Sequence, residues 1–241
     1  GGFTPWTELL AYRANNLNIP VIMTELAYGS APEDLATPVI DYLTTISPLS
    51  SELFKPYLSS IQQKPYITGT PLLDNPPSPS PSPRKVLLIS TVDREKLDPE
   101  DNLKKIAYKL LEGKFNPVIR PHPREDQSTW EDLPLDIGTN LKDSVTSATL
   151  AIGYPGTALP VIAALGIPLL TIVPDLVSFK KLPTQITAPL INLIHSSSEL
   201  NVDNIYSYPT PSNEVIFQSV GPQGNAAETI VNYWVKTLKD N

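Results

Sequence analysis

Short apolar runs alternate with amphipathic stretches along most of this chain. Each apolar run has the length of a strand and is bounded by turn-forming residues, as buried strands usually are. The predicted strands are residues 19–23, 43–46, 65–68, 85–90, 118–119, 150–152 and 169–173. Strands of this kind separated by helices are typical of an α/β fold with a parallel sheet.

Between these runs, apolar positions recur every three or four residues, which predicts helices with one buried face. The predicted helices are residues 5–17, 35–42, 50–58, 102–112, 141–148, 158–165 and 225–238. The clearest of them, Asn102–Glu112, collects its leucine, isoleucine and alanine side chains on one side, and Gly113 stops it.

A Ser/Pro-rich segment divides the chain. Residues 75–83 read NPPSPSPSP, a composition that favours an extended spacer over helix or sheet. We therefore predict a partial α/β lobe at residues 1–75, a linker at 76–83 and a second α/β lobe at 84–220. The first lobe has about half the residues of an ordinary domain, and we expect it to be truncated at its front.

Composition narrows the possible functions. The chain has 241 residues, a net charge of −7 and no cysteine, which excludes disulfides and cysteine-ligated metals. A negative net charge argues against a nucleic-acid partner, because such partners normally meet a basic surface. No apolar run reaches the roughly 18 residues needed to span a bilayer. We expect a cytoplasmic protein; membrane-surface and oligomer contacts stay open.

The segment VIRPHPRED, residues 118–126, carries the strongest chemical signal. A short apolar strand leads into a loop in which Arg120 and Arg124 flank His122, and prolines at 121 and 123 stiffen the backbone. Two guanidinium groups and an imidazole suit an anionic ligand such as a diphosphate. The alternative interpretation is a rigid surface turn with solvated arginines.

A second candidate is the turn GYPGT, residues 153–157, between a predicted strand and a predicted helix. Backbone N–H groups at such a turn can hold a phosphate. Gly156 could instead simply permit a tight turn. Asp175 could reach a sugar hydroxyl or cap a turn, and His195 is interpreted as a loop or cap residue.

The order of these segments resembles the GT-B superfamily of glycosyltransferases. The resemblance is carried by NIPVI, YITGTPLLDN and GYPGTALPVIAALGIPLLTIVPD, and it covers residues 65–174 best. RPHPRE is similar to the histidine-proline motif of bacterial sialyltransferases, capsule transferases and teichoic-acid glycerophosphotransferases. STVDREKL and the glycine turn are also similar to UDP-N-acetylglucosamine epimerases.

The resemblance implies a GT-B-like fold: a Rossmann-type parallel sheet in the C-terminal lobe, a smaller truncated N-terminal lobe, and a final helix at 221–241 that packs back on the N-terminal lobe. It implies a nucleotide sugar or nucleotide diphosphate as ligand, metal-independent transfer in glycan biosynthesis, and no cofactor. His122 would assist departure of the donor phosphate, and Glu8 or Glu25 would be remnants of acceptor-side acid/base function. The implied donor-binding residues are Arg120, Arg124, Thr91, Arg94, Tyr154, Gly156 and Thr157.

Departures from these families keep two alternatives open. Ala158, Leu159 and Pro160 replace the acidic residues that the epimerases carry after the glycine turn, and only Thr157 stands where some sialyltransferases have paired serines. The first alternative is a non-catalytic nucleotide- or phosphosugar-binding module. The second, an epimerase, is weakened by the missing carboxylates.

Overall fold

The computed structural model describes residues 5–25, 40–57, 64–76, 78–92, 94–136 and 140–240. The chain divides into two compact units, the first made of residues 1–75, 183–185 and 214–241, the second of residues 76–182 and 186–213. The Ser/Pro segment starts the second unit, where Ser80 N–H donates to the Thr146 carbonyl and Ser82 N–H to that of Ser147, both at 2.9 Å. Residues 214–220, which the sequence analysis assigned to the second lobe, belong to the first unit.

The first unit contains a small parallel sheet in the order β1-β2-β3. Its elements are α1 (Pro5–Asn16), β1 (Ile22–Thr24), β2 (Tyr42–Thr45), α2 (Pro48–Phe54), β3 (Tyr66–Ile67), α9 (Asn213–Val220) and α10 (Ala226–Asp240). The predicted strands and the first helix are confirmed, with bounds that differ by up to three residues at their ends. Residues 35–39 of the predicted helix at 35–42 lie outside the described residues, and Tyr42 begins β2 instead.

Helix α10 is fixed within the first unit by polar and aromatic contacts. The two carboxylate oxygens of Asp74 accept the N–H groups of Ala226 and Ala227 at 2.6 and 2.8 Å, so a remote residue caps the helix. The indole N–H of Trp234 donates to Thr24 Oγ1 at 3.1 Å. The ring of Tyr233 stacks on a tyrosine of β3, with centroids 4.7 Å apart.

The second unit is built on a parallel sheet in the order β5-β4-β6-β7-β8. Its elements are β4 (Lys85–Ile89), α3 (Arg94–Leu97), α4 (Asn102–Glu112), β5 (Asn116–Arg120), α5 (Leu141–Thr146), β6 (Leu150–Gly153), α6 (Ala158–Ala164), β7 (Leu169–Ile172), α7 (Leu176–Lys180) and β8 (Leu193–Ile194). Helix α8 (Thr184–Thr187) has its first two residues in the first unit. The predicted α/β fold with a parallel sheet is confirmed.

The core of the second unit explains why β4 reads as a continuous apolar run. Successive side chains of a strand point to opposite faces, yet Val86, Leu87 and Leu88 are all fully buried, so both faces of the sheet are covered. Val86 and Leu88 join the cluster that contains the apolar face of α4 and the ring of Trp130. This packing fixes the strand ends from which the candidate site is built.

The strand order opens a crevice at one edge of this sheet. The chain passes from β4 to β5 on one side of β4, and later returns to β6 on the other side. In open parallel sheets, ligands bind outside the carboxyl ends of the strands at such a reversal of direction. Here the reversal lies between the loop after β4 and the turn after β6.

No helix in the described ranges is both long enough and apolar enough to cross a bilayer.

Candidate functional site

Strand register brings the His122 loop and the Gly156 turn to the same edge of the sheet. Ile89, near the end of β4, pairs with Arg120 on one side and with Gly153 on the other. His122 therefore lies two residues beyond this row and Gly156 three residues beyond it. Because β5 and β6 both neighbour β4, their ends are separated by two strand spacings, or roughly 10 Å.

The imidazole of His122 is held in a defined orientation by its own loop. The backbone N–H of Arg124 donates to His122 Nδ1 at 3.2 Å, and the N–H of Glu125 donates to the His122 carbonyl at 2.9 Å. A ring nitrogen that accepts a hydrogen bond cannot carry a hydrogen, so the neutral ring has its proton on Nε2. Nε2–H is then the donor that His122 offers to a ligand.

Glu125 is the residue of this loop whose importance the sequence analysis missed. Its side chain is 9% exposed. Its carboxylate accepts hydrogen bonds from Ser90 Oγ at 2.8 Å, from the backbone N–H of His122 at 3.1 Å and from Arg94 Nε at 3.3 Å. Its place inside RPHPRED, three residues after the histidine, is the signal that could have identified it.

Arg94 and Arg120 are both engaged by carboxylates. Arg94 is buried; it pairs with Glu125 and Asp101 and lies over the ring of Trp130, 4.6 Å from its centroid. Arg120 donates to Asp136 at 3.1 Å and to a serine of α5 at 2.9 Å. These contacts tie segments of the second unit together.

Arg124 and Thr91 lie at more accessible positions of the same edge. Arg124 is exposed, and its side chain lines a pocket of about 240 Å³ together with residues of α3. Thr91 is half-buried directly after β4, where its carbonyl accepts the backbone N–H of Arg94 at 3.3 Å.

The turn after β6 has different requirements at its two glycines. A Cβ on Gly153 would lie 3.0 Å from both the Cβ and the carbonyl oxygen of Ile89, so glycine permits the close approach of β4 and β6. A Cβ on Gly156 would meet only the Tyr154 carbonyl oxygen, at 3.9 Å, so neither packing nor a left-handed backbone requires glycine there. Because Gly156 has no side chain, the turn is open beside the exposed Thr157.

Tyr154 lies below this turn with its ring in the core. Its hydroxyl donates to Asp98 Oδ2 at 2.6 Å, and the same carboxylate accepts the backbone and side-chain N–H groups of Asn102 at the start of α4. Burial and this hydrogen bond raise the pKa of Tyr154. Tyr154 therefore connects the turn after β6 with the segment between α3 and α4.

A largely apolar pocket of about 180 Å³ lies beside the turn, at the ends of β6 and β7. It is lined by Lys96, Leu97, Tyr154, Pro155, Ile172, Val173, Pro174, Asp175, Ser178, Phe179 and Leu182. Asp175 caps α7 by accepting the N–H groups of Val177 and Ser178 at 2.9 and 3.2 Å. Hydrogen bonds from the Ser178 hydroxyl and the Val177 N–H lower the pKa of Asp175.

His195 follows β8 at the same edge. Its Nδ1 lies 2.8 Å from the carbonyl oxygen of Val173, which can only accept, so this ring carries its hydrogen on Nδ1. The two histidines of the chain therefore have opposite tautomers.

The carboxylates expected on the acceptor side belong to the first unit. Glu8 is exposed in the first turn of α1. Glu25 follows β1, is 1% exposed, and accepts the Ile46 N–H at 2.9 Å and the Ser50 hydroxyl at 3.1 Å. Burial raises the pKa of Glu25 to about 7, although both hydrogen bonds act in the opposite direction. Across the described ranges, no three His, Asp or Glu side chains form a group that could hold a metal ion.

No family model and no curated protein sequence matches this chain, whereas solved structures resemble it in fold. A structure of the wall teichoic acid polymerase TagF soaked with CDPG superposes with a TM-score of 0.57 at 16% identity, over 87% of this chain. This chain spans 58% of the length of that TagF chain.

Two further structures show the same likeness over nearly the whole chain. The S. aureus MnaA–UDP co-structure has a TM-score of 0.61 at 12% identity and covers 99% of this chain and 74% of its own. MurG from Acinetobacter baumannii has a TM-score of 0.55 at 14% identity and covers 98% and 72%. The fold is GT-B-like. The Rossmann-like parallel sheet of the second unit belongs to this fold.

Proposed function

We propose that this chain binds a nucleotide-activated sugar, or a related phospho-donor, at the carboxyl edge of the second unit and acts as a glycosyltransferase-like protein. The observation that carries the proposal is the strand order, in which β5 and β6 flank β4, so that the His122 loop and the Gly156 turn follow the two neighbours of β4 at the carboxyl edge of the sheet.

His122 is the proposed diphosphate contact. Its Nε2–H is the ring donor left after Nδ1 accepts the Arg124 N–H. A hydrogen bond from this N–H to a negatively charged phosphate oxygen is charge-assisted and contributes roughly 1.5–3 kcal/mol. The exposed guanidinium of Arg124 adds a positive charge nearby. Arg94, Arg120 and Tyr154 support the loops through their buried contacts.

The 180 Å³ pocket beside Tyr154 and Pro155 is the proposed nucleoside site. Its walls at Phe179 and Leu182 are apolar, which suits a nucleobase, and the Asp175 side chain lies at its polar side. The pocket borders the turn after β6 at Tyr154 and Pro155, and the proposal has the diphosphate lie between this turn and the His122 loop.

The proposed chemistry is departure of a nucleoside diphosphate from the donor. Negative charge develops on the leaving phosphate as its bond to the transferred group breaks, and a donor placed in advance stabilises that charge, typically by about 3 kcal/mol. His122 Nε2–H fills this role. No metal is assigned a role in this proposal.

The structural neighbours support this ligand class. The TagF structure was obtained with CDPG and the MnaA structure with UDP, so nucleotide ligands occupy proteins with this fold. The acceptor, the base and the transferred group are left to experiment.

Calorimetric titration with UDP, CDP and GDP tests the proposal and selects the base. We expect saturable binding of one diphosphate, weaker binding of the matching nucleoside, and loss of affinity when the half-buried Phe179 of the pocket wall is replaced by alanine without loss of the fold. Absence of binding by all three diphosphates would contradict it.

A non-catalytic binding module is the second candidate, favoured by the apolar Ala158, Leu159 and Pro160 that follow the turn. An assay for release of the tightest-binding diphosphate from its sugar nucleotides separates the transferase from the binding module. The release is measured with and without candidate acceptors. Binding without release assigns a module. Isomerisation of UDP-N-acetylglucosamine would instead assign the epimerase activity, which would need carboxylates elsewhere in the chain because residues 158–160 have none.

A further inference from the structure

One largely buried carboxylate, that of Glu125, binds the His122 loop to the neighbouring segments. Glu125 accepts three hydrogen bonds from three separate segments: Ser90 after β4, Arg94 in α3, and the backbone N–H of His122. Because the Glu125 side chain is 9% exposed, water has little access to replace these donors.

Arg94 holds this carboxylate from the protein interior. Its side chain is 7% exposed, it forms a second ion pair with Asp101, and its guanidinium lies over the ring of the fully buried Trp130. Burial alone would lower the pKa of Arg94, but the carboxylates of Asp101 and Glu125 raise it. The guanidinium is therefore a fixed positive charge beside Glu125.

Glu125 and Arg124 hold His122 through three hydrogen bonds. The Glu125 N–H donates to the His122 carbonyl and the Arg124 N–H donates to Nδ1, while the Glu125 carboxylate holds the His122 N–H. Without the carboxylate, the Ser90 hydroxyl and the Arg94 Nε–H would lose their hydrogen-bond acceptor while remaining buried. The turn that presents Nε2 would then have several conformations.

We propose that Glu125, held by Arg94, is a positioning residue that fixes the His122 loop and the Nε2–H tautomer of its ring. It acts through His122 and does not itself touch the ligand. The inference rests on the proposed diphosphate site for its functional consequence. Its structural part, the orientation and tautomer of the ring, can be tested without any ligand.

The first test is a double-mutant cycle with UDP, or with CDP or GDP if one of these binds more tightly. Glu125→Gln should weaken binding about five- to tenfold in the wild-type background and leave affinity unchanged in the His122→Ala background, because a residue that acts through His122 has nothing left to position. Equal losses in both backgrounds would overturn the proposal. Glu131→Gln, the same change at an exposed residue of the same segment, is the matched control.

The second test is a long-range ¹H–¹⁵N spectrum of the imidazoles. The chain has two histidines, and the His122→Ala variant identifies the signals. Wild type should show the Nε2–H form for His122 and the Nδ1–H form for His195. Glu125→Gln should convert His122 to a mixture and leave His195 unchanged.

These readouts separate the two proposals. If His122→Ala leaves diphosphate binding intact, the proposed site is wrong, but the spectra still decide the positioning role. An unchanged His122 spectrum in Glu125→Gln would overturn the positioning role whatever the binding result. If Glu125→Gln fails to fold, Ser90→Ala removes one donor to the carboxylate and should produce a smaller change in the same direction.

Discussion

Glu25 should make the stability of the first unit depend on pH. Burial raises its pKa from the usual 4.5 to about 7. Between these pH values the folded chain holds a proton that the unfolded chain has released. Raising the pH therefore favours unfolding, and stability that is fully present below about pH 4.5 is lost as the pH rises through about 7.

The size of the effect follows from the two pKa values. A pKa that rises from 4.5 to about 7 corresponds to about 3 kcal/mol, since one pH unit is worth about 1.4 kcal/mol. Glu25→Gln removes the titration and keeps the side-chain size. The free energy of unfolding of the wild type, measured relative to this variant, should fall by about 3 kcal/mol between about pH 4 and pH 8.

Urea unfolding at a series of pH values, followed by circular dichroism, measures this difference. Ser50→Ala removes a hydroxyl that lowers the pKa of Glu25, so it should move the loss of stability to higher pH. Ser51→Ala, at the neighbouring buried serine, is the matched control and should keep the wild-type profile. Parallel profiles for wild type and Glu25→Gln would refute the reasoning.

Four further substitutions, one of them a control, test contacts inside the units. Asp74→Ala removes both cap acceptors of α10 and should lower the free energy of unfolding in urea by about 1–2 kcal/mol. Gly221→Ala would place a Cβ 2.0 Å from a backbone carbonyl oxygen and should abolish folding of the first unit by circular dichroism, whereas Gly224→Ala, also at positive φ but in open space, should cost only about 1–2 kcal/mol. Tyr154→Phe deprives the buried Asp98 of one donor and should reduce stability in thermal unfolding by about 1–3 kcal/mol. Wild-type stability in any of these except Gly224→Ala would contradict the assigned contact.

The strands and main helices could be predicted from the sequence because their buried side chains recur at regular, short intervals along the chain. β4 reads as an apolar run since both of its faces are covered, and α4 shows its buried side at every third or fourth residue. β8 has only two residues, Leu193 and Ile194, too few to produce a period. The strand order could not be derived from these patterns, because it depends on which crossover packs on which side of β4.

The sequence predicted which strands precede the two loops of the candidate site, but not the contacts inside these loops. His122 and the Gly156 turn follow their strands as expected, since parallel strands share a carboxyl edge. Arg120 and Arg124 were interpreted as phosphate ligands because they flank His122 just past a strand, and Arg94 because of the family resemblance. Arg94 pairs with Glu125, 31 positions away, as well as with Asp101, and Arg120 pairs with Asp136, 16 positions away. No spacing rule indicates such tertiary ion pairs.

The central claim is that His122 binds the diphosphate of a nucleotide at this crevice. Calorimetry with UDP and with uridine separates the contribution of the phosphates to the binding free energy from that of the nucleoside. If CDP or GDP binds more tightly, that diphosphate is compared with its own nucleoside. His122→Ala should weaken diphosphate binding about tenfold or more and leave nucleoside binding unchanged. Lys105→Ala, which removes an exposed cation from α4, controls for general charge and should bind both ligands as the wild type does. Equal diphosphate affinity of wild type and His122→Ala would contradict the account.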